Sequence, residues 1–209
     1  MTKSEDIIEL IRYGSSLKRV NRTGWGLVGV DCIRTESVAE HSYGSALTSV
    51  LVSQYLIEKG IQLDIDKTLT MALIHDLPES LTSDIPHISN LYELSELNEL
   101  KQKIERKAIQ MIFNREVSVS KYLLVVWEEF ERGSTLESKI VRGSDIIDML
   151  MHVLNLEDTG VSPRILHQFF VSSQEIIKSL EIDILNEIYA TLLERHRRNA
   201  KMANITLGN

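Results

Sequence analysis

Apolar residues recur along this chain every three or four positions, the period of a helix that turns one face to a core. The first run, Ile7, Ile8, Leu10 and Ile11, predicts a helix capped by Ser4 that ends near Gly14 or continues through Leu17. From Lys18 to Gly26 the period is lost, and the composition is that of a basic, aromatic loop, with a further glycine at Gly29. Ser37-Val38-Ala39-Glu40 has the serine-x-x-glutamate form of a capping box and predicts a helix to about Lys59, stopped by Gly60. Asp64 or Asp66 is placed to cap the next helix, whose apolar residues Leu69, Met71, Leu73 and Ile74 lead into His75-Asp76. Pro78 lacks a backbone donor and disfavours a helical residue before it, which predicts a kink or break there, and Pro86 ends whatever follows.

The same period resumes over residues 91 to 114, with Leu94, Leu97, Leu100, Ile104, Ala108, Met111 and Ile112. Residues 118 to 131 predict another helix, with Val125, Val126 and Trp127 towards the core. Ser134-Thr135-Leu136-Glu137 reads as a second capping box, opening a helix through Ile140, Val141, Ile146, Ile147 and Leu150 towards Leu156. Beyond Gly160, Ser162-Pro163 pairs a cap with proline at the first helical position, and one or two helices fill residues 164 to 200. No stretch has a convincing two-residue alternation and no internal repeat is evident, so the expected fold is an all-α bundle of about seven or eight helices. The whole of 1–209 is expected to form one unit, with a motif-bearing core over about 5–160 and C-terminal helices over about 162–200.

Composition narrows the partners. At 43% apolar and 25% charged, the 209 residues suit one globular domain with a sizeable core. A net charge of −7 argues against binding a nucleic-acid polymer, which needs a basic face. A small phosphorylated substrate stays compatible if a metal or a few arginines supply local positive charge. No apolar run is long enough to span a membrane, and the polar start Met1-Thr2-Lys3-Ser4-Glu5-Asp6 is unlike a signal peptide. The single cysteine, Cys32, excludes an internal disulfide framework and fits a reducing compartment; the expected location is the cytoplasm. The basic cluster Arg195-His196-Arg197-Arg198 falls at the end of a predicted helix, where the macrodipole favours cations.

The residues with chemical potential centre on His75-Asp76, a nitrogen ligand beside an anionic oxygen ligand, with Glu79 one turn on. Two ligands do not complete the coordination of an ion. His41, beside Glu40 at the mouth of its helix, is the best further nitrogen. Asp145 is the best distant carboxylate, because an aspartate in an otherwise apolar helix loses solvation unless it is paired or bound to a cation. Asp148 shares its face, as a competitor or as a supporting partner. Two histidines and two carboxylates neutralise one divalent ion and leave positions for water and a phosphate oxygen. The set suits Mn²⁺, Co²⁺, Fe²⁺, Ni²⁺ or Mg²⁺ and does not exclude Zn²⁺, whereas a structural zinc site would call for cysteines.

Glu40-His41, His75-Asp76 and Asp145 together resemble the HD-domain metal-dependent phosphohydrolase superfamily, in which a histidine, a histidine-aspartate doublet and a distant aspartate lie in a helical bundle. Leu17 to Trp25, Arg34 to Ser42, Ile74-His75-Asp76 through Asp84-Ile85-Pro86, Trp127 to Glu131 and Lys139 to Leu150 look like its YfbR-type 5'-deoxynucleotidase branch. The resemblance implies metal ligands at His41, His75, Asp76 and Asp145, and catalytic carboxylates at Glu79 and Asp84. It implies substrate contacts at Arg22, Trp25, His41 and Asp84. Arg22 would supply the cation that an acidic protein needs near a phosphate, and Trp25 an apolar wall for a sugar or base. Arg34 is placed either to hold phosphate or to pair with Glu36 or Glu40.

Thr23 and Gly24 separate Arg22 from Trp25, where some members have the two adjacent, and His87-Ile88-Ser89-Asn90 falls where the family contacts the nucleoside. The implied activity is hydrolysis of 5'-(deoxy)nucleoside monophosphates with one divalent ion, in a protein that forms a homodimer. The alternatives are another HD phosphohydrolase, acting on a nucleoside triphosphate, cyclic nucleotide or alarmone, and a non-catalytic nucleotide-binding helical module.

Overall fold

The computed structural model describes residues 2–30, 34–85, 95–115 and 117–207. Among them, eight helices of ten residues or more carry the fold: α1 (Lys3–Ser16), α3 (Val38–Glu58), α4 (Ile65–Ile74), α6 (Ser95–Phe113), α7 (Ser118–Arg132), α8 (Leu136–Asp158), α9 (Pro163–Ser179) and α10 (Asp183–Met202). Two four-residue turns, α2 (Gly24–Leu27) and α5 (Glu79–Thr82), and a 3₁₀ turn at Leu17–Arg19 complete the order. The all-α bundle expected from the period is therefore observed. Cys32, Pro86, the His87 to Asn90 stretch and the 91–94 start expected for α6, with Leu94, lie outside the described residues. Among the described residues no helix is long and apolar enough to cross a membrane.

The 23-residue α8 is the axis of the bundle, with α3, α4, α7, α9 and α10 packed around it. Two features bring neighbouring backbones close. Ser45, Ala46, Ser49 and Ser53 are buried along α3, and their small side chains admit a close approach. On α8, a Cβ at Gly143 would lie 2.3 Å from Leu185 Cδ1 of α10, so any larger residue would have to displace the Leu185 side chain. Ile140, Ile147, Leu150, Leu154, Leu166, Phe170, Ile177 and Leu185 build the largest core, between α8, α9 and α10. A second core joins Leu17, Val38, Leu77, Ile109, Ile112, Phe113 and Trp127; a third joins Ala46, Met71, Ala72, Val126, Phe130 and Val141. These two cores wall the region where α3 begins and α4 ends.

Several expected starts shift, each for a local reason. Thr2, not Ser4, caps α1: its hydroxyl accepts from Glu5 N and the Glu5 carboxylate accepts from Thr2 N. Ser37 caps α3 reciprocally with Glu40, as expected, and Asp64, rather than Asp66, caps α4 by accepting from Lys67 N at 2.9 Å. The box at α8 is Thr135 with Ser138, one residue later than the Ser134-to-Glu137 pattern. Glu137 is taken instead by α4, where it accepts from Asp64 N at 3.0 Å and lies 3.5 Å from Lys67 Nζ. Val125 is 57% exposed while Val126 and Trp127 are buried, because consecutive helical residues cannot all face one core. The Arg195-to-Arg198 cluster lies inside α10, which runs on to Met202. Arg195 pairs with Asp158 at 2.7 Å, and His196 is fully buried against Glu157 rather than serving a helix end.

Candidate metal and phosphate site

Helix α4 stops at Ile74, and His75 to Pro78 form a tight turn before α5 begins at Glu79. Leu77 N donates to the Ile74 carbonyl and Glu79 N to the Asp76 carbonyl, both at 3.0 Å. This is the break expected at Pro78, and it puts His75, Asp76 and Glu79 around one bend. From α7, the Trp127 indole donates to the His75 carbonyl at 3.0 Å, so a core tryptophan pins the doublet's backbone. Phe130, one turn later, meets the His75 ring edge-on at a centroid distance of 5.5 Å.

His75 is 5% exposed. Its Nδ1 lies 2.8 Å from the Ala72 carbonyl, which can only accept, so Nδ1 carries the proton. Nε2 is left buried without a hydrogen-bond partner, and the Asp76 carboxylate stands 3.2 Å from it. His41, 1% exposed in the first turn of α3, has Nε2 2.8 Å from Asp145 Oδ1, 3.8 Å from Asp76 Oδ2, and Nδ1 2.7 Å from Asp148 Oδ2. One ligand atom each from His41, His75 and Asp145 lies within 4.8 Å of the other two. Donor atoms bound to one ion at about 2.1 Å stand roughly 3 to 4 Å apart, and the separations of His41 Nε2 from Asp145 and Asp76, 2.8 and 3.8 Å, and of His75 Nε2 from Asp76, 3.2 Å, are of that order. The unpartnered Nε2 is the feature that such an ion would satisfy.

The electrostatics agree with a site built for a cation. Burial acts to raise Asp76, but His75, His41 and Arg22 outweigh it and hold its carboxyl far below the ordinary range. Burial also acts against ionised Asp145, and the hydrogen bond and charge of His41 with the charge of His75 prevail in the same way. His41 is the reverse case. Burial and Arg22 oppose its protonation, yet hydrogen bonds to Asp145 and Asp148 carry its pKa up to about 9. In the metal-free protein a proton on His41 thus occupies the place of a cation. Glu79, 5% exposed, is pushed up to about 10 by burial and then by the charges of Asp76 and Asp84, against the pull of Lys101 and Arg22.

The N-terminal loop closes one side of the site. Val38 N donates to the Val20 carbonyl at 2.8 Å and Arg22 N to the Glu36 carbonyl at 2.9 Å, which ties the loop to the start of α3. Thr23 N donates to Asp84 Oδ2 at 2.6 Å, and the Thr23 hydroxyl donates to the Asp84 carbonyl at 3.0 Å, latching the loop to the segment after α5. Burial acts to lower the Arg22 pKa, but Asp145, Asp76, Glu36 and Asp84 raise it above the ordinary value. Arg22 Nη1 is buried with no hydrogen-bond partner, a donor suited to an anionic oxygen.

Trp25, expected as an apolar wall for a sugar or base, is held among core residues. It is 3% exposed, with its ring 4.8 Å from that of His152 and 4.9 Å from that of Phe169, and its indole donates to Glu36 Oε2 at 3.2 Å. The α2 turn rolls the ring inward onto α8 and α9, so its flat faces serve the core. Arg34 resolves to a pair with Glu40, and its side chain is largely exposed.

Other residues near the site were not singled out in the sequence. Glu36 accepts from Trp25, stands 3.9 Å from Arg22 Nε and 3.5 Å from His152 Nδ1. Asp145, Asp148 and His152 fall at the i, i+3, i+7 spacing of one helical face, the signal that could have found His152. On α6, Lys101 pairs with Glu105 at 3.5 Å. Burial raises the Glu105 carboxyl to about 7, Lys101 opposes it, and Glu131 and Asp76 add to it. That charged wall had no sequence signal beyond its i, i+4 spacing.

The family model described as HD domain matches residues 14–186. The chain is 28% identical over 203 residues to the 5'-deoxynucleotidase HDDC2 of Homo sapiens, covering 92% of this chain and 93% of that protein. It is 31% identical over 153 residues to the 5'-deoxynucleotidase HDDC2 of Dictyostelium discoideum, covering 72% of this chain and 77% of that protein. A solved structure of a conserved hypothetical protein from Pyrococcus furiosus superimposes with a TM-score of 0.73 at 31% identity, covering 90% of this chain and 99% of that one.

Proposed function

The chain belongs to the HD-domain family, and from that premise we propose that it is a metal-dependent phosphomonoesterase that hydrolyses 5'-(deoxy)nucleoside monophosphates to nucleoside and phosphate. The similarity to proteins named 5'-deoxynucleotidases, which extends over most of the chain, supports the substrate class. The observation that carries the site assignment is the buried, unpartnered Nε2 of His75 facing His41, Asp76 and Asp145. Those four residues would hold one divalent ion, drawn from Mn²⁺, Co²⁺, Fe²⁺, Ni²⁺, Mg²⁺ or Zn²⁺. When bound, such an ion supplies Lewis-acid charge and makes water more acidic.

The chain's own groups divide the remaining work. Arg22, with its unpartnered Nη1, binds the phosphate and offsets charge developing on its oxygens. Glu79, neutral in the metal-free protein because of burial and the charges of Asp76 and Asp84, would ionise once a divalent ion offsets that negative charge, and would then take a proton from the attacking water as the new phosphorus–oxygen bond forms and the bond to the 5' oxygen breaks. That proton then returns to the 5' oxygen of the departing nucleoside. Asp84 holds the Thr23 loop with Oδ2 and would engage the sugar hydroxyl or assist the leaving oxygen. Trp25 supports the loop from the core rather than stacking on substrate.

Phosphate release across all 5'-dNMPs and NMPs, with a nucleoside triphosphate and a cyclic diester beside them, tests this reading. Release from the monophosphates is expected to vanish with chelator and return with added Mn²⁺ or Co²⁺. Faster turnover of the triphosphate or the diester would transfer the chain to another HD phosphohydrolase class. Nucleotide binding with no turnover under any metal would leave a binding module.

Two copies of the chain are proposed to associate. Tyr43, Leu47, Leu51 and Tyr55 form an i, i+4 stripe along α3, exposed by 70%, 48%, 62% and 38%. This stripe is more continuous than the exposed apolar residues of the last fifty positions. Sedimentation that shows only a 23.8 kDa species would exclude the dimer.

A further inference from the structure

We propose that Gly44 and Asp148 act as a positioning pair for His41, an inference that rests on the metal reading above. Gly44 follows His41 by three residues in α3, so the two share a face. A Cβ at Gly44 would stand 1.8 Å from Asp148 Oδ1, 2.6 Å from its Cγ and 3.1 Å from its Oδ2. No carbon and oxygen approach that closely without a bond. The Asp148 carboxylate therefore occupies the space that every other residue type would fill. The helix itself does not call for glycine here, because glycine inside a helix is less stable than alanine.

What the gap admits is the contact between Asp148 Oδ2 and His41 Nδ1 at 2.7 Å. Asp148 lies one turn beyond Asp145 on α8, and both carboxylates reach the same imidazole from opposite nitrogens. A carboxylate on Nδ1 keeps the proton there and leaves the Nε2 lone pair for the side where His75 and Asp145 stand. The two histidines are thus oriented by different means. His75 is held by the Ala72 carbonyl, which no side-chain substitution removes, whereas His41 depends on a side chain that only a glycine lets in. Glu36 closes the far side, with a carboxylate oxygen within 4.8 Å of ligand atoms of both His41 and Asp148.

The test uses the full chain, titrated with Mn²⁺ by calorimetry. Gly44→Ala and Asp148→Ala are each expected to weaken Mn²⁺ binding by about 10- to 100-fold, the range for removing a group that orients a metal-bound histidine. Adding Gly44→Ala to Asp148→Ala is expected to cost nothing more, because the carboxylate it would displace is already gone. A purely structural glycine would instead lower the melting temperature of the metal-free protein and leave the affinity alone. The proposal is overturned if Gly44→Ala binds Mn²⁺ within about threefold of the parent, or if the two losses add. If the parent binds no divalent ion, the metal reading fails by itself. The pair is then judged by the ¹⁵N shift of His41 Nδ1 in the metal-free protein. Both single variants should move that shift alike, and no movement overturns the pair.

Discussion

Replacing His75 with alanine is expected to lower phosphate release by roughly 10³-fold or more, equivalent to about 4 kcal/mol of transition-state stabilisation. The size of the effect follows from how little else that ring does. Its Nε2 makes no hydrogen bond within the protein, and its Nδ1 serves only to anchor the ring on the Ala72 carbonyl. On the proposed assignment an alanine would remove one ligand of four, and it leaves Asp76 and Asp145 with less positive charge between them. The fold should lose much less. The deletion opens a cavity between Phe130 and the α4 turn, a cost of about 2 kcal/mol for a side chain of this size. Activity, bound metal and thermal stability measured on one preparation check the argument. A variant that keeps its ion and turns over within tenfold of the parent would remove His75 from the site.

Glu79→Gln separates chemistry from stability in opposite directions. Loss of a positioned proton acceptor is expected to lower kcat by about 10²- to 10⁴-fold while the divalent ion stays bound. The metal-free variant should at the same time be more stable than the parent at neutral pH. Burial and the charges of Asp76 and Asp84 push the Glu79 carboxyl from 4.5 in the ordinary case up to about 10. The folded protein then holds a proton that the unfolded chain releases above pH 4.5. The contribution of this group to stability is therefore fully present below pH 4.5 and is lost progressively as pH rises towards 10. Glutamine is neutral throughout and shows no such loss. The gain from Glu79→Gln should be absent near pH 4 and reach up to about 3 kcal/mol at pH 7. Denaturant melts of both metal-free proteins across that range check it. A variant that is less stable at every pH would mean that Glu79 is ionised and paired in the fold.

The two predictions draw on residues that differ in how they could be read. His75, Asp76 and Glu79 are visible in sequence because an apolar run, a ligand doublet and a proline sit side by side, and each is local chemistry. His41 is visible for the same reason, since the capping box at Ser37 places it in the first turn of its helix. Asp145 stands out only by desolvation logic, as a carboxylate in an apolar helix. Glu36 has no such mark, because its task is to collect groups from Trp25, Arg22 and His152 that lie far apart in sequence. The burial of Trp25 was not legible, because a tryptophan beside a basic loop has the same composition whether its ring faces a ligand or a core. The cap at α8 shifted for a related reason: Glu137 has two possible partners, and the one on α4 is invisible until α4 and α8 are packed together.

Helical period, caps and breakers are short-range properties, and they determined the class of fold, most of the element boundaries and the bend that carries His75-Asp76. The composition determined that a phosphate would need a cation brought to it. Which way the Trp25 ring turns is decided by its packing on α8 and α9, and which nitrogen of His41 faces the site, with Asp148 reaching it across a missing Cβ at Gly44, is decided by the contact of α3 with α8. Those outcomes depend on distances of a few ångströms between residues separated by about a hundred positions, and no local propensity encodes such distances.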